Sequence, residues 1–134
     1  MDTRSNDEVA AVVRFIDCIN RGDTDGLGAL MTDGHTLQVF DESPLVGREA
    51  NVEAWRGYNT AFPNYAIHVH KISETADGVA VRGHTTGSHL GLSDEEERTL
   101  TVIWLARLAG GRLILWRLCE DTPALRRDLG LDAD

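Results

Sequence analysis

The segment TLTVIWLARLAGGRLILWRLCED, residues 99–121, leaves the chain few options. Two runs of β-branched, aromatic and leucine residues flank Gly110-Gly111, and a glycine pair between such runs predicts a hairpin closed by a two-residue turn. Antiparallel partners then count off symmetrically from the turn: Ala109 opposite Arg112, Trp104 opposite Arg117, Val102 opposite Cys119 and Leu100 opposite Asp121. Leu100, Val102, Trp104, Ala106, Leu108, Leu113, Leu115, Arg117, Cys119 and Asp121 share one face. Thr101, Ile103, Leu105, Arg107, Ile114, Trp116, Leu118 and Glu120 share the other. Both faces are mostly apolar, so both must be covered, helices on one side and a second subunit on the other being the expectation.

Asp121 ends this hairpin. A carboxylate there is solvated at the strand's exit, caps the following helix, or sits at the mouth of a pocket where burial would raise its pKa. The helix option is concrete, because Thr122 suits a cap and Pro123 the first helical position.

A chain of 134 residues is most economically one domain with a real core. Its formal net charge of −9 argues against nucleic acid or an anionic membrane as the main partner. There is no apolar run long enough for a bilayer, and the opening MDTRSNDE lacks the regions of a signal peptide, so the expected location is the cytoplasm. Cys18 and Cys119 lie far apart without metal-ligand spacing and read as reduced thiols.

In chain order, Ser5 and Glu8 form a capping-box pattern ahead of Val9, Val12, Val13, Ile16 and Ile19, a helical stripe ending near Gly22. Asp23 caps a second helix through Leu27, Leu30 and Met31, closed by Asp33-Gly34. Residues 35–40 read as a short strand with His35, Leu37, Val39 and Asp41 on one face, followed by a turn at Pro44. A third helix runs from Gly47 to Phe62 and stops at Pro63. Its aromatic stripe, Trp55, Tyr58 and Phe62, is either core packing or a ligand-stacking wall. Residues 65–74 form a strand with His68 and His70 on one side, a pair that lacks the third ligand of a metal site, so no metal is expected. The strand 79–90 carries Arg82, His84, Thr86 and Ser88 on one face, and its two inner glycines predict curvature, bulges or close backbone approach. The charged stretch 93–98 reads as a solvated loop. The order of elements predicts an α+β domain, helices layered over a curved antiparallel sheet.

The opening VVRFIDCINRGDTDGLGALMTDGHTLQVFDESPLVGREANVEAWRGY, the segment GHTTGSHLG and the closing GGRLILWRLCEDTPALRRDLGL together resemble the SnoaL-like branch of the nuclear transport factor 2-like (NTF2-like) superfamily. The resemblance covers nearly the whole chain and rests on element order plus three diffuse motifs. It implies an NTF2-like cone in which a curved sheet, with three N-terminal helices, wraps a hydrophobic pocket, and a homodimer formed through the sheet's outer face.

Relatives in that superfamily include polyketide cyclases, ketosteroid isomerases and small epoxide hydrolases, which generally work without cofactors. They place a carboxylate or histidine in an apolar pocket, where it moves one proton while hydrogen-bond donors stabilise an enolate or activate water. The similarity of EDTPALRRDLG to the last strand of SnoaL-type cyclases points to Asp121 as acid or base. That of FDESPLVGRE to the ketosteroid isomerase base loop points to Asp41. The epoxide hydrolase pattern of arginine and aspartate two residues apart reads Arg82-Gly83-His84 here, with histidine in place of the acid. The resemblance thus implies proton-transfer chemistry on a small apolar carbonyl compound. Asp121, His84, Arg82 and Asp41 are its catalytic candidates, and His35, Trp55 and Tyr58 line its pocket. The alternative is a non-catalytic ligand-binding module or dimeric scaffold of the same fold.

Overall fold

The computed structural model describes residues 3–132, with side chains from residue 7 onward. Helix α1 (Thr3–Arg21) and α2 (Thr24–Ala29) lead into β1 (Met31–Val39), a two-residue β2 (Leu45–Val46) and α3 (Arg48–Ala61). Strands β3 (Ala66–Glu74) and β4 (Val79–Thr86), the single turn α4 (Asp94–Glu97), β5 (Val102–Ala109), β6 (Arg112–Glu120) and α5 (Pro123–Leu129) complete the chain. One mixed sheet runs β2-β1-β6-β5-β4-β3. Only the β1–β6 pair is parallel; every other pair is antiparallel. The α+β architecture is therefore the one the sequence predicts.

The turn forms as expected, with Gly110 and Gly111 both at positive φ (59° and 80°) and Ala109 opposite Arg112, as a primed turn requires. The register beyond it is different. A bulge at Ile114 takes one residue out of the count, so Arg107 faces Leu115, Trp104 faces Leu118, Ile103 faces Cys119 and Val102 faces Glu120. A bulge places two residues of one strand against one of its partner and so exchanges the faces beyond it. Trp104, Trp116 and Leu118 consequently share the inner face with the main core, while Ile103, Leu105 and Cys119 share the outer one. Asp121, odd-numbered like Cys119, follows the outer face. On β1, the irregularity between Met31 and Thr36 meets the same bulge, and Leu113's carbonyl accepts a hydrogen bond from His35 Nδ1 at 2.7 Å.

The inner face packs against α1 through Val12, Phe15, Ile16 and Ile19. Phe15 takes the place predicted for Val13, which is exposed. The helix already runs from Thr3, so the Ser5 cap does not mark its start; the Ser5 side chain lies outside the described residues. Asp23 does cap α2, accepting from Gly26 N at 2.9 Å, but α2 ends at Ala29 and the following residues enter β1. Two asparagines hold helices to the sheet. Asn20 reads the edge strand as another strand would, donating to Ile67 O at 3.0 Å and accepting from Ile67 N at 2.7 Å. Buried Asn51 donates to the carbonyls of His35, Leu45 and Gly47 at 3.1, 3.0 and 2.9 Å, fixing α3 against β1 and β2.

The outer face finds partial cover within the chain itself. Leu125, Leu129 and Leu131 pack on Ala80, Ile103 and Leu105, so α5 covers part of the second apolar face. Thr122 caps this helix and Pro123 opens it, as the sequence predicts. Asp121 clamps it to the sheet: Oδ2 accepts from Arg82 Nε at 2.8 Å and Thr101 Oγ1 at 2.6 Å. Oδ1 forms an ion pair with Arg126 Nε at 3.0 Å, although that N–H is aimed at the Thr122 carbonyl. The Asp121 side chain is only 5% exposed. Removing one member of so buried a group leaves charges uncompensated, moderated here by the partial exposure of both arginines. Asp121→Ala is expected to lower unfolding free energy by about 2–3 kcal/mol, read by urea denaturation; an unchanged midpoint would refute the clamp.

Stability should also fall in mild acid. Burial pushes the His35 imidazole below its ordinary value of 6.5, against a smaller upward pull from the Leu113 carbonyl. The unfolded chain protonates its imidazole near the ordinary value while the folded chain resists, so the unfolded state binds more protons and the native state loses stability as pH drops below about 6.5. The urea midpoint is expected to be lower at pH 5.5 than at pH 7.5, with a shallower dependence in His35→Gln. A flat wild-type profile would contradict this account.

Candidate functional site

The inner sheet face and α3 enclose a cavity of about 210 Å³. Inward alternation of β1 contributes Leu37 and Val39, and that of β5 and β6 contributes Trp104, Trp116 and Leu118. Helical spacing on α3 contributes Trp55 and Tyr58, which Asn51, one turn earlier, holds in place. Tyr65 and His89 close one end. The wall is therefore apolar and aromatic. Trp104 and Trp116 lie nearly parallel (16°, centroids 6.1 Å apart), while Tyr58 meets Tyr65 edge-on at 4.9 Å and Trp55 at 6.2 Å.

Polar groups are concentrated at the Tyr58 end. Tyr58 Oη lies 2.8 Å from His89 Nδ1 and accepts the His89 backbone N–H at 3.2 Å. One proton is shared between the hydroxyl and Nδ1, and its position decides what the other ring nitrogen offers. With Tyr58 donating to Nδ1, Nε2 carries a hydrogen and donates. With Nδ1 donating to Tyr58, Nε2 is bare and can accept a proton. Burial pushes the Tyr58 hydroxyl up; the His89 amide opposes this and nearby Glu97 adds to it. Burial pushes Tyr65 far above the ordinary tyrosine range, reinforced by Tyr58 and Glu97. Both hydroxyls stay protonated at neutral pH.

Of the residues singled out from sequence, Trp55 and Tyr58 line the cavity. His35 shares their inner face but is wholly buried in the core, its ring 5.8 Å from Phe15 and Nε2 without a partner. The four catalytic candidates do not converge there. Arg82 and Asp121 meet each other on the outer face. Desolvation alone would raise the Asp121 carboxyl, but Thr101, Arg82 and Arg126 outweigh it and hold the group below its ordinary value, so it is ionised at neutral pH. His84 lies on the same outer face, stacked on His68 at 4.6 Å, with Nδ1 2.7 Å from His70 Nε2. Burial, then His68, His70 and Arg98, pushes it below the ordinary histidine value. Asp41 is exposed in the turn after β1, beside a shallow depression formed with Arg117 and Glu120. The bulge at Ile114 is the physical reason for Asp121's position. Among the described residues no group of three or more His, Cys, Asp or Glu is placed to hold a metal ion, and no helix is long and apolar enough to cross a membrane.

Three residues of this region escape the sequence reading. Tyr65 and His89 read as the ends of strands 65–74 and 79–90, but β3 begins at Ala66 and β4 ends at Thr86, which leaves both in the connecting turns. Glu97 sits in a run of four acids expected to be solvated, yet it is 1% exposed. The segment is an ordered turn: Ser93 and Glu96 form a reciprocal capping box, and Glu97 turns inward onto Thr85. A Ser-x-x-Glu pattern at 93–96 is the signal that this stretch is helical.

Searching curated proteins by sequence finds no match. Solved structures with the same fold are numerous. An uncharacterised cystatin-fold protein from Novosphingobium aromaticivorans superposes with TM-score 0.73 at 16% identity, over 84% of this chain and 97% of that one. A protein from Jannaschia sp. CCS1 assigned as a SnoaL-like polyketide cyclase gives TM-score 0.72 at 20% identity, over 100% and 98%. SalBIII, an epoxide hydrolase/cyclase-like enzyme of pyran ring formation in salinomycin, gives 0.69 at 20%, over 86% and 91%. The SnoaL-like domain model matches residues 12–116, from the first helix through the tryptophan of the last strand that walls the cavity, and the chain belongs to that family.

Proposed function

We propose that this protein binds a compact, flat, mainly apolar carbonyl compound in its aromatic cavity and moves one proton of that compound with the Tyr58–His89 pair. The observation that carries the reading is the wall itself, aromatic on most sides with its ionisable groups gathered at one end. A cavity of about 210 Å³ falls below the roughly 300–1,000 Å³ of sites that enclose drug-sized ligands, which favours a one- or two-ring compound. The cyclase and cyclase-like names among the structural neighbours fit ring-forming or isomerising chemistry on such a molecule.

In this reading bare His89 Nε2 takes a proton from the carbon beside the carbonyl. The C–H electron pair becomes the enolate, whose oxygen accepts a hydrogen bond from the protonated Tyr65 hydroxyl. Tyr58 holds the imidazole through Nδ1, and return of the proton to the same or another carbon completes exchange or isomerisation. Asp121 and Arg82 serve the α5 clamp instead of the chemistry, and His84 and Asp41 act outside the cavity. The dimeric-scaffold alternative would use the part of the outer sheet face that α5 leaves uncovered. The ligand-binding module remains the second reading, favoured by the scarcity of charged groups in the cavity wall.

All of the chain's tryptophans, Trp55, Trp104 and Trp116, line the cavity, so their fluorescence reports its occupancy directly. Titration with 1-tetralone is expected to perturb that emission, and tetralin, the matching hydrocarbon, to do so with roughly tenfold weaker affinity, the worth of one good hydrogen bond to the oxygen. Exchange of the ketone's α-protons in D2O, followed by NMR, should run faster with wild type than with His89→Gln. Binding without protein-dependent exchange would leave the ligand-binding module; no response to either compound would refute both readings.

A further inference from the structure

Glu97 is a carboxylate that the proton-transfer reading does not use, and its surroundings are unusual. It is 1% exposed, and among the described residues it forms no ion pair within 4.0 Å. Burying an acid without a cation is expensive unless its oxygens are hydrogen-bonded. Both oxygens are engaged: Oε2 takes the Thr85 hydroxyl of β4, and Oε1 faces the Ser88 backbone N–H at 3.4 Å. Ser88 immediately precedes His89, whose own amide donates to Tyr58 Oη. From the other side the turn is pinned at Gly87, where φ is 68° and a Cβ would lie 2.5 Å from the Asn64 carbonyl, next to Tyr65. The path from Glu97 through Ser88 and His89 to Tyr58 is thus continuous.

We propose that Glu97 is a positioning residue: its buried carboxylate anchors the turn at residues 87–89 and so sets the His89 imidazole against Tyr58 at the polar end of the cavity. The inference rests on the reading of that cavity as a small-molecule site, but it concerns a hydrogen bond present without ligand. Without the anchor the Ser88 amide loses its acceptor, the turn loosens on the α4 side, and the imidazole shifts against the tyrosine. Thr85 participates by orienting the carboxylate, while the capping box of Ser93 and Glu96 keeps Glu97 turned inward from α4.

The test is 15N NMR of the protein labelled at histidine, with the His89 signals assigned by their absence in His89→Gln. In wild type at pH 7.5 the His89 ring nitrogens should differ as one bound, fixed tautomer requires. In Glu97→Ala they should move toward the averaged values of a free imidazole, while Glu97→Gln, which still offers an oxygen to Ser88 N–H, should retain the wild-type pattern. Protein-dependent exchange of the α-protons of 1-tetralone should slow about tenfold in Glu97→Ala with tetralin affinity unchanged, a split that general loosening of the fold would not give. Should Glu97→Ala fold poorly, Thr85→Val reads the same anchor through its other end and should shift His89 in the same direction. Unaltered His89 signals in Glu97→Ala and Thr85→Val, or equal loss of tetralin and ketone binding, would overturn the assignment. Absence of any ketone preference in wild type would instead count against the proton-transfer reading, and the NMR comparison would still decide the anchor.

Discussion

The inner surface of this protein depends on one extra residue in β6. Without the bulge at Ile114, simple alternation would turn Arg117, Cys119 and Asp121 toward α1 and the cavity, and Trp116 and Leu118 toward α5. A single inserted residue exchanges the whole set, because the side-chain period of a strand is two. With it, two stacked tryptophans form the floor of an apolar cavity, and the charged end of the strand goes to the outer face, where arginines meet it. The bulge also interrupts the parallel β1–β6 ladder, and His35 supplies the donor that Leu113's carbonyl then requires. A neutral imidazole fully buried in the core is thereby tied to the geometry of the hairpin next to it.

Helix placement follows from the same economy of buried polar groups. Asn51 gives α3 a fixed station on β1 and β2 by meeting three carbonyls that the two-residue β2 leaves near the sheet's edge. Asn20 does the corresponding service at the opposite edge by imitating a strand partner for Ile67. Each bond contributes only about 1 kcal/mol net, so their value lies in direction more than strength. They determine that the aromatic face of α3 looks across the cavity at β5 and β6.

Much of the architecture is legible in the sequence because it is written in local patterns. The glycine pair closes the hairpin, Thr122-Pro123 opens α5, Asp23 caps α2, and the element order gives an α+β sheet under helices. The strand face is not legible in the same way, since no residue type marks Ile114 as a bulge, and the assignment of Asp121 to the inner face inherits that error. The aromatic part of the site is readable from the α3 stripe, but its polar end is not. His89 gains its role from a turn that brings it to Tyr58, 31 positions away, and Glu97 is disguised by three acidic neighbours that do face water.

The separation of charge from cavity bears on chemistry. Asp121 pairs with both Arg82 and Arg126 on the outer face, so these charges serve the packing of α5. The cavity wall carries two tyrosine hydroxyls and the solvent-exposed His89 imidazole. Glu97, buried behind the pair, spends its lone pairs on a hydroxyl and an amide. The fold thus separates two tasks: ion pairing on the outer face holds the last helix, while hydrogen-bonding groups at the cavity face whatever enters.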